Sequence, residues 1–198
     1  MTVARRLVVG ISGASGVVMG ARLLELLRDA GVETHLVMSQ SAQVTFAYET
    51  SLKAQQVRDL ATVSYNADDI AAAISSGSFR TDGMIVVPCS MRTLAEVASG
   101  VTTTLLTRAA DVVLKERRRL VLVVRETPLH LGHLRNMTAV TEMGAVVYPP
   151  VPAFYANPAS VEEMIDHSLG RALDLFDIDV STVRRWGIER GPKPRPRG

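Results

Sequence analysis

The sequence is poor in several residue types on which whole classes of protein depend. Cys89 is the only cysteine, so no disulfide can form within the chain, which suits a reducing cytoplasm. Aromatic residues make up 5% of the 198 residues, too few to supply a stacking surface for single-stranded nucleic acid. No apolar run approaches the roughly 20 residues that span a bilayer, and no apolar leader follows Met1. We therefore expect a cytoplasmic protein with neither a membrane nor a nucleic acid as partner.

The net charge of +2 is unevenly distributed along the chain. Basic residues crowd the C-terminal end, where only Glu189 opposes them: Arg184, Arg185, Arg190, Lys193, Arg195 and Arg197. The rest of the chain is mildly acidic, whereas nucleic-acid binding requires a basic patch on the folded body. Length and composition favour one domain over residues 1–186, followed by a basic, proline- and glycine-rich tail over 187–198 that we expect to be disordered.

Short apolar runs alternate with segments of helical periodicity. Strands are predicted at 7–11, 34–38, 83–88, 120–124 and 145–148, and helices at 17–29, 41–49, 52–60, 68–75, 93–98, 104–117, 129–143 and 161–176. Near-continuous Val/Ile/Leu strands separated by helices indicate an α/β fold with a doubly wound parallel sheet, covered on both faces. Such sheets bind ligands beyond the carboxyl ends of their strands, so the segments that follow the strands are the candidates for a site.

The first of these segments, Gly10-Ile-Ser-Gly-Ala-Ser-Gly16, leads directly into a helix. Its glycines let backbone amides approach a ligand, a helix N-terminus attracts an anion, and Ser12 and Ser15 add hydroxyl donors. The glycines are not spaced as in the dinucleotide fingerprint, and the Lys-Ser/Thr of a P-loop is missing. The strand-to-helix context favours a phosphate-type ligand, with a tight turn that binds nothing as the alternative.

The segments after the next two long strands hold hydroxyls and a cation. Ser39, Ser90 and Thr93 are predicted helix caps whose hydroxyls lie at the ligand-binding edge. Arg92 falls in the first turn of its helix, where a cation opposes the macrodipole unless an anion is also present. We expect Cys89 to be a small core residue rather than a nucleophile.

Arg125 and Glu126 follow the strand at 120–124 and are predicted to lie at the mouth of the site. Glu126 is either an acid/base catalyst or half of an exposed ion pair. Pro128 is expected to begin the next helix. Glu126, His130 and His133 invite a metal site, but Glu126 precedes the helix and no other strong ligand is near. Capping or surface histidines are favoured over a metal.

These segments together resemble the UbiX-type flavin prenyltransferases. The motifs that match, in order, are Gly10-Ile-Ser-Gly-Ala-Ser-Gly16, Ser76-Gly-Ser-Phe79, Pro88-Cys-Ser90, the stretch from Leu106 to Arg117, Arg125-Glu-Thr-Pro-Leu-His130 and Pro149-Pro-Val-Pro-Ala-Phe-Tyr155. The resemblance covers about residues 6–186. It implies Rossmann-like or flavodoxin-like subunits, assembled as a homododecamer, that use reduced FMN as a substrate.

The resemblance also implies the reaction. An allylic phosphate, usually dimethylallyl monophosphate, alkylates flavin N5 and then C6 without a metal. The prenylated FMN becomes the cofactor of a partner UbiD-type decarboxylase, with a place in ubiquinone biosynthesis.

Individual positions take roles by the same resemblance. Positions matching flavin contacts are Gly13, Ala14, Ser15, Ser39, Ser90, Met91, Arg92, Thr93 and Arg125. Positions around the allylic phosphate are Ser15, Lys115, Arg125, Tyr155 and Arg171, with Trp186 near the prenyl group. Glu126 matches the acid/base carboxylate, and Ser15 is expected to act with it in catalysis. Arg92 stands where the family often has Lys.

Two other functions stay open. A related FMN-dependent cysteine decarboxylase uses a catalytic His and a Pro-x-Met-Asn-type motif, which the loop at 149–155 lacks. His35 is a poor substitute because we predict that it points into the sheet. A flavin-binding module without catalysis would not explain why Glu126 accompanies so many phosphate-type donors.

Overall fold

The computed structural model of the protein describes residues 5–187. The tail predicted to be disordered lies almost wholly outside these residues, so that expectation stays a prediction. The described residues belong to two compact units that meet in sequence between Pro149 and Pro150. Within residues 5–187, none of the helices has the length and apolar character needed to cross a membrane.

In the first unit, the described residues form one parallel sheet of six strands in the order β3-β2-β1-β4-β5-β6. The strands are β1 (Arg6–Ile11), β2 (Glu33–Met38), β3 (Val63–Tyr65), β4 (Gly83–Cys89), β5 (Arg119–Val124) and β6 (Val146–Val147). The helices are α1 (Val18–Asp29), α2 (Gln40–Glu49), α3 (Ala54–Arg58), α4 (Met91–Ser99), α5 (Leu105–Lys115) and α6 (Leu131–Glu142). This order confirms the doubly wound sheet, and the direction of winding changes between β1 and β4.

Burial explains why the central strands could be read from the sequence. Every residue of β4 is buried, and β5 is buried after Arg119. Helices on both faces remove these strands from water, so the strands read as unbroken runs of Val, Ile and Leu rather than as an alternation. On α1, the side chains of Leu23, Leu24 and Leu27 are completely buried.

The predicted helix at 68–75 is wrong, since only a 3₁₀ turn forms at Ala73–Ser75. The side chain of Asn66 accepts a hydrogen bond from the amide of Asp68 at 3.2 Å, and the side chain of Asp69 accepts one from Ala71 at 3.2 Å. Such local bonds compete with helical backbone bonds and favour turns. The apolar periodicity of this segment predicted a helix, but hydrogen bonds to its polar side chains stabilise turns instead.

Strand β3 was missed because three residues carry too little pattern to distinguish a strand from a loop. Pairing with β2 nevertheless fixes it, with His35 opposite Val63. The Tyr65 hydroxyl lies 2.8 Å from Nδ1 of His35, whose other ring nitrogen lies 2.9 Å from Oε1 of Glu33. His35 is 3% exposed, so the prediction that it points into the fold is confirmed.

The second unit contains helix α7 (Val161–Asp174), preceded by a 3₁₀ turn at Phe154–Ala156. Ser160 caps α7 by accepting a hydrogen bond from the amide of Glu163 at 3.2 Å. The segment after α7 returns closely along the helix: a Cβ atom at Gly170 would lie 2.4 Å from Cγ2 of Val183.

Gly20 gives a test of how α1 packs on the sheet. A Cβ atom there would lie 2.7 Å from Cδ1 of Ile11 and 2.8 Å from the carbonyl oxygen of Val87. In an exposed helix, Gly→Ala stabilises by up to about 1 kcal/mol. Here we expect Gly20→Ala to lower the free energy of unfolding by about 1–3 kcal/mol, because the backbone of β4 cannot yield.

Urea denaturation measures this difference. Asp29→Ala, at the exposed end of the same helix, is the control and should change the free energy of unfolding by less than about 0.5 kcal/mol. A Gly20→Ala protein more stable than the parent would contradict the close packing.

Candidate active site

Three helices begin directly after three neighbouring strands. Helix α2 follows β2, α1 follows β1 and α4 follows β4, and these strands lie side by side as β2-β1-β4. Because the strands are parallel, the three helix N-termini meet at one edge of the sheet. Each N-terminus presents backbone N–H groups without helical partners and a partial positive charge. The edge on either side of the β1/β4 switch point is therefore suited to phosphate.

Hydrogen bonds hold the ends of these strands together. The Ser12 hydroxyl donates to the carbonyl oxygen of Pro88 at 2.9 Å and accepts from the amide of Ser90 at 2.8 Å. The amide of Ser39 donates to Ile11 at 2.9 Å, and the amide of Arg125 donates to Cys89 at 3.1 Å. Ser12 was expected to donate to a ligand, but its proton is given to the backbone instead, since the side chain is buried between two strands.

Two of the predicted helix caps, Ser39 and Ser90, are confirmed, but Thr93 is not a cap, since it lies inside α4 and its hydroxyl accepts from the Ser90 hydroxyl at 3.2 Å. The Ser39 hydroxyl accepts from the amide of Ala42 at 3.1 Å, and the Ser90 hydroxyl accepts from the amide of Thr93 at 3.3 Å. Both hydroxyls are thereby fixed at the carboxyl edge. Cys89 is fully buried, and burial raises the pKa of its thiol to about 12, so it is a core residue rather than a nucleophile.

A cavity of about 1250 Å³ opens at the same edge, wide enough for a nucleotide-sized ligand. Its wall includes predicted flavin-binding residues from two strand ends: Ser39, Ser90, Arg92 and Thr93. Other hydroxyl, amide and charged groups line it as well, among them Ser41, Gln55, Arg58, Asn66 and Asp68. The turn containing Gly13 and Ala14 borders this wall, because a Cβ atom at Gly13 would lie 2.4 Å from Oγ of Ser41.

Arg92 reaches the cavity from the first turn of α4, next to Met91. Its Nε donates to Oε1 of Glu96 at 2.9 Å, and 80% of its side chain is exposed. The guanidinium therefore has room to turn toward an anion in the cavity, at the cost of a weak exposed ion pair.

A second cluster joins residues that lie far apart in sequence. Oε2 of Glu49 accepts from the amides of Gly16 at 2.8 Å and Val17 at 3.3 Å, and its carboxylate is hydrogen-bonded to Ser15. The positive charge of Arg125 acts on the same carboxylate. The structure thus joins Ser15 to a carboxylate that lies on the backbone amides just before α1, and the charge of Arg125 is near enough to act on that carboxylate.

Sequence reasoning missed Glu49, although a signal was present. Glu49 is the last residue of α2, where the helix macrodipole disfavours a negative charge. An acid at that position needs compensation from elsewhere in the fold. Here the compensation comes from the positive end of a second helix, α1.

The segment from Arg125 to His130 is exposed throughout. Oε1 of Glu126 accepts from the amide of Thr127 at 3.0 Å, so the carboxylate lies on the loop as expected. Pro128 does not begin the helix. Helix α6 begins at Leu131 because the imidazole of His130 caps it, with Nδ1 accepting from the amide of Gly132 at 3.0 Å.

The histidines of this segment stack on each other instead of converging on an ion. The ring centroids of His130 and His133 are 3.6 Å apart and the rings are tilted by 31°. Among residues 5–187, no group of three or more His, Cys, Asp or Glu side chains is placed to hold a metal ion.

Lys115 lies at the opposite edge of the sheet. Helix α5 begins beside Ala67, which follows the carboxyl end of β3, and it ends at Lys115, just before β5 starts at Arg119. Eleven helical residues, about 16 Å, separate the two ends. Nζ of Lys115 lies 2.5 Å from Glu116, against the turn at Gly77. Within one chain, Lys115 is therefore not part of the cluster around Ser15.

The remaining predicted residues belong to the second unit. Tyr155 lies in the 3₁₀ turn, and its ring meets the rings of Trp186 and His167 edge-on, with centroids 5.5 and 5.7 Å apart. Trp186 is 61% exposed. Arg171 lies in the last turn of α7 and is paired with Asp174. The unit thus presents aromatic rings and a guanidinium, which suit an apolar group joined to an anion.

Comparison with known proteins gives close relatives over nearly the whole chain. Flavin prenyltransferase UbiX of Escherichia coli (strain K12) is 59% identical over 185 residues, which are 92% of this chain and 98% of that protein. The crystal structure of AnUbiX (PadA1) in complex with FMN and dimethylallyl pyrophosphate superposes with a TM-score of 0.92 at 57% identity, covering 93% of this chain and 98% of that one. A dodecameric FMN-dependent UbiX-like decarboxylase from Escherichia coli O157:H7 gives 0.89 at 52% identity, covering 91% and 98%.

The fold and the site define a doubly wound α/β protein with an anion-binding edge at its switch point. The Flavoprotein family model matches residues 1–186. With these identities, the chain belongs to the flavin prenyltransferases of the UbiX type within that family.

The cluster around Glu49 predicts a pH dependence. Burial acts to raise the pKa of this carboxyl, but hydrogen bonds from Ser15 and two backbone amides and the charge of Arg125 outweigh burial, so the pKa lies below its ordinary value. The folded protein therefore gains stability from ionised Glu49 above the pKa of the unfolded chain. That gain is lost as the pH falls through the lower pKa of the folded state.

We expect Ser15→Ala to raise the pKa of Glu49 toward its ordinary value, because one donor to the carboxylate is removed. A carboxyl-carbon NMR titration measures it. Ser99→Ala is the control, since that hydroxyl bonds the carbonyl oxygen of Ala95 within α4. Equal pKa values in the parent and in Ser15→Ala would refute the cluster.

Proposed function

We propose that this chain is a flavin prenyltransferase, which transfers a dimethylallyl group from dimethylallyl monophosphate to N5 and C6 of reduced FMN. The observation that carries the proposal is the large polar cavity at the β1/β4 switch point, beside the cluster of Ser15, Glu49 and Arg125. FMN is a substrate in this reaction. The prenylated product is the cofactor of a UbiD-type decarboxylase, which we propose as the functional partner in the cytoplasm.

FMN and dimethylallyl monophosphate carry one phosphate each, and the carboxyl edge of the sheet offers hydrogen-bond donors for both. The cavity suits FMN. Ser39 and Ser90 are fixed there as helix caps, Thr93 is bonded to Ser90, and Arg92 lies at the wall. Gly13 packs against Ser41 of its wall, and we assign Ala14 and Met91, the sequence neighbours of Gly13 and Arg92, to the same ligand. The turn at Ser15 and the Arg125 side chain suit the allylic phosphate, next to the N-terminus of α1.

Departure of the allylic phosphate sets the main electrostatic requirement. As the allylic C–O bond breaks and the bond to N5 forms, negative charge grows on the phosphate. We assign cationic and hydroxyl donors to this charge, namely Arg125, Ser15, Lys115, Arg171 and Tyr155. The apolar end of the donor is assigned to Trp186, which meets the ring of Tyr155.

Closure of the second bond, to C6, releases a proton from that carbon. Glu126 is a carboxylate on an exposed loop directly after β5, and we assign it the role of accepting this proton, with the departed phosphate as the other base at hand. Alkylation at N5 breaks the allylic C–O bond, forms the C–N bond and releases the N5 proton. Ring closure adds a proton to one alkene carbon of the prenyl group, joins the other alkene carbon to C6 and releases the C6 proton. No oxidant is needed, because the flavin enters reduced.

From the position of Lys115 we infer that a site is completed by a second copy of the chain. Lys115 lies at the amino edge of its own sheet, on the side of α5 where Arg108 donates to the carbonyl oxygen of Ser75 at 3.2 Å. We propose that the protein is a homo-oligomer, a dodecamer by analogy with the dodecameric relative, in which Lys115 of one copy serves the phosphate held by another.

The proposed reaction is tested by incubating the protein anaerobically with reduced FMN and dimethylallyl monophosphate and measuring the mass of the extracted flavin. A gain of one five-carbon prenyl unit is the expected result. Glu126→Gln should bind FMN like the parent but prenylate it about a hundredfold more slowly, since it cannot accept the C6 proton.

Glu142→Gln, at the exposed end of α6, is the matched control and should act at the parental rate. Unmodified flavin from parent protein that binds FMN would overturn the proposed function. Parental turnover in Glu126→Gln would remove only Glu126 from the mechanism.

The shared site is tested by complementation. Lys115→Ala should lose about tenfold or more in activity, because a charged partner of the phosphate is lost. Ser15→Trp should be inactive, because the bulky ring fills the turn before α1. Co-expressed, the two variants form mixed oligomers in which some sites contain both native residues, so activity should exceed that of either variant alone. Mixed oligomers no more active than the separate variants would show that Lys115 does not act across subunits.

A further inference from the structure

The C-terminal end of α7 carries a cluster of alternating charges around one carboxylate. Arg185 holds Asp174 with two parallel hydrogen bonds, from Nη1 to Oδ2 at 3.0 Å and from Nη2 to Oδ1 at 2.9 Å. Nη1 of Arg171 donates to the same Oδ2. Asp179 accepts a further bond from Nη2 of Arg185 at 3.0 Å. Asp174 is therefore the carboxylate that the two arginines share.

Asp174 occupies a place where an acid is locally unfavourable. It is the last residue of α7, at the negative end of the helix dipole, and 19% of its side chain is exposed. Both carboxylate oxygens are used by Arg185, which fixes the orientation of the acid. A carboxylate that is so firmly held can in turn fix a partner.

Arg171 is that partner. Its side chain is 47% exposed, and among residues 5–187 no other side chain bonds its guanidinium. An arginine side chain has many rotamers, and a guanidinium that is already anchored loses less freedom when it binds an anion. One end of the guanidinium is anchored on Asp174, which leaves the other for a phosphate.

We propose that Asp174 is a positioning residue, which holds Arg171 ready for the allylic phosphate and is itself held by Arg185. The inference rests on the proposed function, because Arg171 is assigned there to the phosphate donor.

Asp174 competes with the phosphate for the guanidinium of Arg171, but we expect the orientation that Asp174 gives to Arg171 to outweigh this competition. The single negative charge of Asp174 faces two guanidinium groups, and the second acid, Asp179, is 87% exposed and bonds Arg185 rather than Arg171, so positive charge remains at Arg171. A dianionic phosphate is attracted to that charge, and it meets an arginine whose orientation is already set. Loss of the carboxylate raises the net positive charge by one but releases the orientation of Arg171, and we expect the lost orientation to matter more for donor binding.

The experiment measures two dissociation constants by calorimetry on the full-length protein, one for dimethylallyl monophosphate and one for FMN. Asp174→Asn should weaken donor binding about tenfold, equal to about 1.4 kcal/mol, and leave FMN binding within about twofold. Arg185→Gln should weaken donor binding in the same direction, because it releases Asp174. Asp179→Asn is the control, since that side chain is 87% exposed and touches Arg185 without reaching Arg171, so donor affinity should stay within about twofold.

A purely structural role would lower the thermal midpoint and the affinity for both ligands together. Donor binding by folded Asp174→Asn that equals or exceeds that of the parent would overturn the proposal. Should that variant not fold, Arg185→Gln decides, and unchanged donor affinity there has the same meaning. Parent protein that binds the donor but does not prenylate FMN would refute the proposed function while leaving the role of Asp174 intact.

Discussion

The hydroxyl of Ser12 joins the two strands between which the sheet changes its direction of winding. It bonds Pro88 at the end of β4 and the amide of Ser90 at the start of α4, and it is 1% exposed. Because β1 and β4 are held together there, the turn before α1 and the N-terminus of α4 face the same space. The cavity, the capped hydroxyls and the anion-binding amides all depend on this junction.

Two acids placed against the helix dipole stand where we assign phosphate recognition. Glu49 ends α2 and lies on the first amides of α1, while Asp174 ends α7 and lies between two arginines. Each would weaken its own helix in isolation, and each is stabilised by positive charge from another part of the fold. Residues that break a local rule and are compensated by distant groups are often functional.

Prediction from the sequence succeeded where one physical effect dominated. Strands such as β4 and β5 are buried on both faces, so unbroken runs of Val, Ile and Leu identify them. It failed where effects of similar size competed. Hydrogen bonds to the side chains of Asn66 and Asp69 favour turns where a helix was predicted. The imidazole of His130 caps α6, so this helix begins at Leu131 instead of at Pro128, three residues earlier.

The sequence by itself determined the kinds of elements, the doubly wound class and the hydroxyls that cap helices at the ligand-binding edge. These follow from periodicity and short-range hydrogen bonds, which depend on neighbours a few residues away. Tertiary structure alone decided that Glu49 bonds the amide of Gly16 across 33 residues, and that Lys115 lies at the far edge of its own sheet. Such placements depend on strand order and helix direction, because contacts between distant segments form only when the sheet assembles.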